Sequence, residues 1–552
     1  MNRARLVAIG VVVVVLASMA GAASGLGLLG PGPGITPSPA AMASASPGSS
    51  PATPTDVPST TPTAASSAAP TQPAIAAIPF VPVADWRSSA DSIAPADLSA
   101  IIRGKSPRWT SIEVVAGERD AILGAIPPGD AISAIGERVV TAPDSATLMA
   151  DLAAHRDRMA FMRADMVGPG VRALGWAGQS LFGIHRLKTL DGWPLTAQLP
   201  AVPPDGPAGF TAFDPAMTAS VFAGGDLGYD RTIAYVVTQV GFGVDYPYDG
   251  GTAKITGTYC CSSFNWPMPI IASTGNTHAM RDLIGSADLA VANSEEPAAD
   301  KFSYHASGTV FTGNPALLKG VANAGFDVVS CGSNHIGDAG KIGVTQTVAN
   351  LAAVGVHAFG CGATLADARK PATVDVNGMA VAILSYDAVP PKSYWATDTT
   401  AGSAPLLAEY VKADIAAARA AGAQIVIIYP HWGEEYQFGP SAFQSELGHT
   451  MIDAGADLVI GNHGHWVQSV EIYKGKPIWY ALGNFTFDQG WSEPTVEGVS
   501  LELTFRNSVL VQARMNPHVL VKNSQPNLLD PVTGWQRVLD PVFKASGSLL
   551  PW

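Results

Sequence analysis

From Ala219 to Trp466 the chain repeats one pattern: a short apolar run of strand length, a stretch with helical spacing, then another apolar run. The runs are ASVFAGGD (219–226), DLAVANSE (288–295), FDVVSCGSNH (326–335), VHAFGCG (356–362), MAVAILSYD (379–387), AQIVIIYPHWG (423–433) and ADLVIGNHGHW (456–466). Between them MRDLIGSA, NPALLKGVANAG, GVTQTVANLAAVG, LLAEYVKADIAAARAAG and FQSELGHTMIDAG read as helices. Strands that alternate with helices predict a layered α/β domain, because each crossover helix must bury its apolar stripe on a sheet face. The later segments VEIYKGKPIWYALGNFTF, GVSLELTFRN and VLVQARMNPHVLVK alternate without helices, which predicts antiparallel strands forming a second sheet or a sheet edge.

Polar residues fall in one place along this pattern. Asp226, Glu295, Asn334 with His335, His431, and His463 with His465 each lie at the carboxyl end of an apolar run. That edge of an α/β sheet is where loops converge above the packed core and ligands bind. Singly, each residue has an ordinary explanation. Asp226 follows two glycines and suits a turn, Glu295 suits a solvated loop, Asn334 suits a helix cap, and His431 suits a satisfied core position. His463 and His465, two apart, would share a side if extended. Their coincidence at five strand ends is what points to a site. Two carboxylates, an amide oxygen and three imidazoles form a donor set suited to Mn, Fe or Zn rather than to Ca or Mg. One ion takes about four ligands, so six donors fit two ions sharing a carboxylate, about 3.5–4 Å apart, with His335 beside them as a non-ligand.

In this order the segments GGDLGYDR, VANSEEP, GFDVVSCGSNHIGDAG, IIYPHWGEEY and DAGADLVIGNHGHWVQSVEIYKGKPIWYALGNFTFDQ resemble the CapA family of bacterial poly-γ-glutamate capsule synthesis proteins, over about residues 218–520. The resemblance implies a fold like that of calcineurin-like metallophosphoesterases, a β-sandwich flanked by helices spanning 215–525. It implies Asp226 as the first-motif aspartate, Glu295 as the acid of Asn-Leu-Glu, Asn334-His335 as Asn-Asn-His, His431 as His-Trp-Gly, and His463 and His465 as the last paired histidines. In that scheme Glu295 bridges two ions, Asp226 and His465 hold one, and Asn334, His431 and His463 hold the other. His335 is then a general acid or orienting group and Arg231 an anion clamp. Three positions depart from the pattern: Ser294 and Ser333 replace Leu and Asn, and Gly228 stands where Asp-x-His has its histidine, leaving one ion short of a ligand. The implied activity is a metal-dependent hydrolase or transferase acting on an exported anionic polymer or its phosphorylated precursor. The alternative is a non-catalytic, membrane-tethered assembly factor in a capsule-synthesis complex.

The front of the chain is different in kind. Arg3 and Arg5 precede an uncharged apolar run and Ala20-Gly21-Ala22, an export signal that is also long enough, through Leu29, to remain as a membrane anchor. Residues 30–78 are rich in Pro, Ala, Ser and Thr and predict a disordered linker. Residues 79–205 read as a smaller α/β domain whose segments FVPVADW, DLSAIIRGKSPRWTSI and MAFMRADMVGPGVRALGWAG faintly resemble part of a phosphate-binding-type periplasmic solute-binding domain. Residues 526–552 read as a C-terminal tail. Of 552 residues 14% are charged, with a net charge of -13, which disfavours nucleic acid as a partner. An exported chain permits disulfides. Adjacency disfavours a Cys260–Cys261 bridge, while Cys331 and Cys361, each closing an apolar run, could pair or remain buried thiols.

Overall fold

The computed structural model describes residues 74–127 and 138–552. The export signal and most of the linker lie outside these residues. No helix among the described residues is long and apolar enough to cross a membrane.

Two sheets form the centre of the molecule. In the first, Thr218–Leu227 runs parallel to Leu289–Ser294, which continues in parallel to Val328–Ser330 and His357–Phe359. On its other side the same strand pairs antiparallel with Glu497–Arg506, followed by Val509–Val521 and Gln525–Leu529. In the second sheet Met379–Asp387, Ile425–His431, Leu458–Ile460 and Lys476–Trp479 run parallel, with antiparallel Ala372–Val376 and Val470–Tyr473 at the edges.

The side-chain period of two explains why these sheets stack. Val221 and Ala223 of the first sheet face Ile383, Ile427, Tyr429 and Ile460 of the second in one shared core. The intervening Phe222, Ala290 and Ala292 point outward onto Leu283, Ile284, Leu318 and Val321 of flanking helices. Leu384, Ile428 and Val459 likewise point outward onto Val411, Ile415, Met451 and Ile452. Strands covered on both faces read as continuous apolar runs, which is how they appear in the sequence. Each fully buried Val, Leu or Ile contributes about 1.5–3 kcal/mol, so the two-sided burial holds the sheets in one register.

Residues 75–200 build a further sheet in the order Val139–Ala142, Ser111–Val115, Arg158–Arg163, Ile75–Asp85, Val171–Ala173, with Thr196–Pro200 also paired to Ile75–Asp85. Ile75–Asp85 starts inside the stretch assigned to linker by composition, because Ile75 to Pro79 find backbone partners in Thr196–Pro200. This sheet has its own core, which Val511 joins. Arg186 links the two parts: its guanidinium reaches the Gly183 and Thr218 carbonyls and Asp288. The expected C-terminal tail is folded. Trp535–Ser546 is a helix whose Trp535, Val538, Leu539 and Val542 enter the shared core.

Cys331 and Cys361 are joined, with Cα atoms 5.4 Å apart. Cys260 and Cys261 are also joined, the pairing that adjacency disfavoured.

Candidate metal centre

The parallel strands of both sheets end on the same side, and their polar termini meet there. Asp226, Glu295 and Asn334 come from the first sheet; His431, His463 and His465 come from the second. Asp226, Glu295 and His431 are 0% exposed, and Asn334, the most open of the six, is 8% exposed. One contact fixes the sheets against each other here: the Tyr429 hydroxyl donates to the Gly224 carbonyl. Within the first sheet, a side chain at Gly225 would collide with the Gly483 carbonyl, just before Asn484–Thr486 pairs with Thr218–Leu227, so only glycine permits that approach.

The loop carrying the paired histidines is not extended. His463 has φ 85° and His465 φ 52°, left-handed conformations that side chains rarely adopt outside constrained sites. The two rings therefore take different partners. His463 stacks obliquely on His431, ring centres 4.8 Å apart. His465 lies between Phe487 at 5.1 Å and Tyr436 at 6.1 Å, its Nδ1 2.9 Å from Asn484 Oδ1 and 3.6 Å from Asp226 Oδ2.

Glu295, His431 and His463 present ligand atoms that all lie within 4.8 Å of one another. His431 Nε2 is 2.9 Å from Asn334 Oδ1 and 3.4 Å from Glu295 Oε2. Asn293, which the strand-end reading passed over, ties the cluster together: its Nδ2 donates to Asp226 Oδ1 at 2.8 Å and to Glu295 Oε2 at 3.4 Å. Ser333, one of the departures, donates to the Glu295 carbonyl at 2.9 Å.

Burial by itself would raise the Glu295 carboxyl, but His431, with His465 and His335 further off, holds it well below the ordinary carboxylate range. Burial and the charge of Glu295 push Asp226 the other way, above that range. Burial would lower His431, yet Glu295, Asp226 and Asp387 carry it up to about 9. Burial, with the neighbouring His431 adding to it, holds His463 well below the ordinary imidazole value. Asp226 Oδ2, Glu295 Oε1, Asn293 Oδ1, Asn462 Oδ1 and His463 Nδ1 are buried without a hydrogen-bond partner. Leaving such atoms unpaired costs about 1–3 kcal/mol each, more when charged, and native interiors avoid it. Two carboxylates, amide oxygens and an imidazole nitrogen gathered in this way fit a divalent cation.

His335 and Arg231 stand to one side. His335 Nδ1 is 2.8 Å from Asp338 Oδ2, and its ring meets the edge of Phe311 at 4.5 Å. Arg231 is committed to other work: Nε donates to Asp488 at 3.0 Å and Nη1 to the Gly308 carbonyl at 2.8 Å, while the guanidinium covers Phe311 and Phe487. It is not a free fork for an anion. At Gly228 a Cβ would sit 3.0 Å from Phe487 Cδ2 and 3.2 Å from both Glu296 Oε1 and the Thr486 carbonyl, so any side chain there meets a crowded position and its neighbours must give way to admit it.

Besides Asn293, the supporting residues that the sequence left unmarked are Asn484, Asp338 and Asp387. Asn484 follows an apolar run in ALGNF as the ligand candidates do, a signal that could have found it. Asp387 ends MAVAILSYD in the same way and accepts from Ser403 and Trp395 behind His431.

Residues 220–489 match the family described as bacterial capsule synthesis protein PGA_cap. The PGA biosynthesis protein CapA of Bacillus subtilis is 36% identical over 180 residues, 32% of this chain and 47% of that protein. The capsule biosynthesis protein CapA of Bacillus anthracis is 35% identical over 178 residues, 32% of this chain and 43% of that protein. A probable polyglutamine synthesis accessory protein of Mycobacterium tuberculosis is 32% identical over 193 residues, 33% of this chain and 49% of that protein. The chain thus spans about half the length of the curated relatives it matches. Among solved structures, NAD nucleotidase (NadN) of Haemophilus influenzae is 13% identical, covering 59% of this chain and 56% of that one with a TM-score of 0.34, too loose an overlap to carry an argument.

Proposed function

We propose that the chain, whose residues 220–489 match the bacterial capsule synthesis protein PGA_cap family, acts outside the cytoplasm in making a capsule or related surface polymer, as a metal-dependent hydrolase or transferase. The observation that carries the reading is the buried Glu295–His431–His463 cluster with its partnerless oxygens and nitrogen. The substrate in this reading is the polymer or a phosphorylated precursor of it.

Asp226, Glu295, Asn334, His431, His463 and His465 would hold one or two ions of the Mn, Fe or Zn type. When bound, such ions supply Lewis-acid polarisation of a phosphoryl or acyl oxygen. The chain's own groups do the rest. Asn293 keeps the Asp226 and Glu295 carboxylates at a fixed separation. Asp338 accepts from His335 Nδ1–H, which orients the ring; in its doubly protonated form the ring then gives the Nε2 proton to a leaving oxygen. Arg231, held by Asp488, sets Phe311 and Phe487 beside the two histidines rather than gripping the substrate.

Metal content and hydrolysis of a generic phosphodiester, measured on the wild type and His463→Ala, test the proposal. It predicts at least one ion per chain, lost with activity in the variant; equal metal and equal turnover in both would sink it.

A second reading is favoured by Gly228. A chain lacking that histidine could hold an ion without turning over substrate, and serve as a tethered assembly factor. In that case substitutions at the donor residues leave polymer export intact.

A further inference from the structure

Beside the His465 face of the centre the chain leaves large aromatic rings in water. The hairpin of Thr252–Tyr259 and Met268–Gly275 carries Tyr259, Phe264 and Trp266 at and beyond the end of its first strand, 49%, 66% and 47% exposed. A soluble surface does not ordinarily cluster such rings unless something covers them. The hairpin end is fixed in place: Ser262 Oγ donates to the Trp491 carbonyl at 2.5 Å, and Ser262 N to the Trp266 carbonyl at 2.9 Å. Phe264 meets the edge of Trp491 at 6.0 Å, and Trp266 meets Trp466 at 6.4 Å. Trp466 and Trp491 each pack against Tyr436, at 6.2 and 5.9 Å, and Tyr436 stacks on His465. An unbroken row of rings thus runs from the exposed hairpin to a ligand candidate of the metal centre.

The unpaired charges on the Tyr436 loop are carboxylates. Glu434 and Glu435, both exposed, precede Tyr436 on its loop. Glu493, two residues past Trp491, is paired with Arg537, and Arg231 is taken by Asp488. A polyanion lying here would meet carboxylates and uncommitted rings. A pyranose chain would meet what it needs: its C–H faces settle on the negative faces of the rings, and its hydroxyls donate to carboxylates.

We propose that Phe264, Trp266, Trp466, Trp491 and Tyr436 form a glycan subsite, which places uncharged sugar rings of a phosphorylated chain against the hairpin and leaves its phosphoester at the metal centre. This deepens the reading of the centre as polymer-handling and rests on it for the reacting end, but the sugar contacts are independent of any ion. The aromatic row selects the substrate by stacking, and the negative rim turns away a free polyanion.

The test uses the full-length chain and three uncharged probes, cellohexaose, maltohexaose and chitohexaose, with poly-γ-glutamate as the polyanion, and reads tryptophan fluorescence and titration heat. At least one oligosaccharide is expected to bind saturably, and poly-γ-glutamate more weakly or not at all. Trp266→Ala and Phe264→Ala, changes at exposed rings, should each weaken sugar binding by roughly 3- to 10-fold, the worth of one ring contact, while Trp266→Phe retains most of it. Failure of all three sugars to bind, equal binding in both alanine variants, or tighter binding of poly-γ-glutamate that depends on Trp266 would each overturn the subsite. The same titration on chelator-treated protein separates the two proposals. Sugar binding that survives in a chain shown to take up no metal upholds the subsite and defeats the metal reading; intact metal uptake with no sugar binding does the reverse.

Discussion

His465 and Asn484 form a directed pair: Asn484 Nδ2 donates to the Thr495 carbonyl, which turns its Oδ1 toward His465 Nδ1 at 2.9 Å. The amide oxygen can only accept, so His465 carries its proton on Nδ1 and keeps the Nε2 lone pair for a ligand.

Asn484→Ala should therefore weaken metal binding without touching a donor atom. The expected loss is about 10- to 100-fold in affinity, the usual cost of removing such a partner. Competition with a chromogenic chelator measures it, and an unchanged affinity would show that Asn484 does not orient His465 as a ligand.

Ion removal should cost stability, because it exposes the imbalance among Asp226, Glu295 and His431. An ion present at 100 times its Kd contributes about 2.7 kcal/mol, so chelation should lower Tm by about 2 °C or more. Calorimetric scans with and without chelator, followed by ion add-back, make the comparison.

Gly228→His restores the motif on paper, yet it should not restore a ligand. Phe487, Glu296 and the Thr486 carbonyl already crowd the Cβ position, and overpacking of this kind typically costs about 1–3 kcal/mol. The variant is expected to melt earlier and to bind no more metal than the wild type, as read by calorimetry and elemental analysis.

A pH effect should arise at Glu497, away from the proposed ligands. Burial and the nearby charge of Glu493 push its carboxyl up to about 8, although Arg537 lies 3.2 Å away. The folded state thus binds a proton that the unfolded chain releases near its ordinary value of about 4.3. Its stabilising contribution is complete below that value, declines as pH rises, and is gone above about 8. Glu497→Gln should raise Tm relative to wild type at pH 8.5 and by much less at pH 5. A difference that does not vary with pH would refute the assignment.

Arg186→Ala should strip the junction between the N-terminal sheet and the sandwich. It leaves Asp288, also bonded to Ser220 and Lys188, without its buried partner. Breaking a buried pair costs about 3–5 kcal/mol, a change that chemical denaturation should resolve.

How far the sequence could be read depends on which interactions are local. Apolar runs and helical spacing specify their own element types, so the α/β alternation from Ala219 to Trp466 and the placement of Asp226, Glu295, Asn334, His431, His463 and His465 at strand ends were legible. Composition misplaced the start of Ile75–Asp85, because that segment is ordered by pairing with a strand far along the chain. The C-terminal residues read as a tail in sequence because only contact with the sandwich buries Trp535 and Val542.

The amino-acid sequence by itself determined the elements, their polar termini and the chemistry of the donor set, since each follows from side-chain type and period. Only the tertiary structure decided that three donors sit on each of two sheets and meet across them, that left-handed turns at His463 and His465 send neighbouring rings to different partners, and that Asp488 takes Arg231 out of use. These outcomes depend on packing between segments separated along the chain, by 19 residues for His465 and Asn484 and by 257 for Arg231 and Asp488, where shape and burial, rather than local pattern, choose the neighbour.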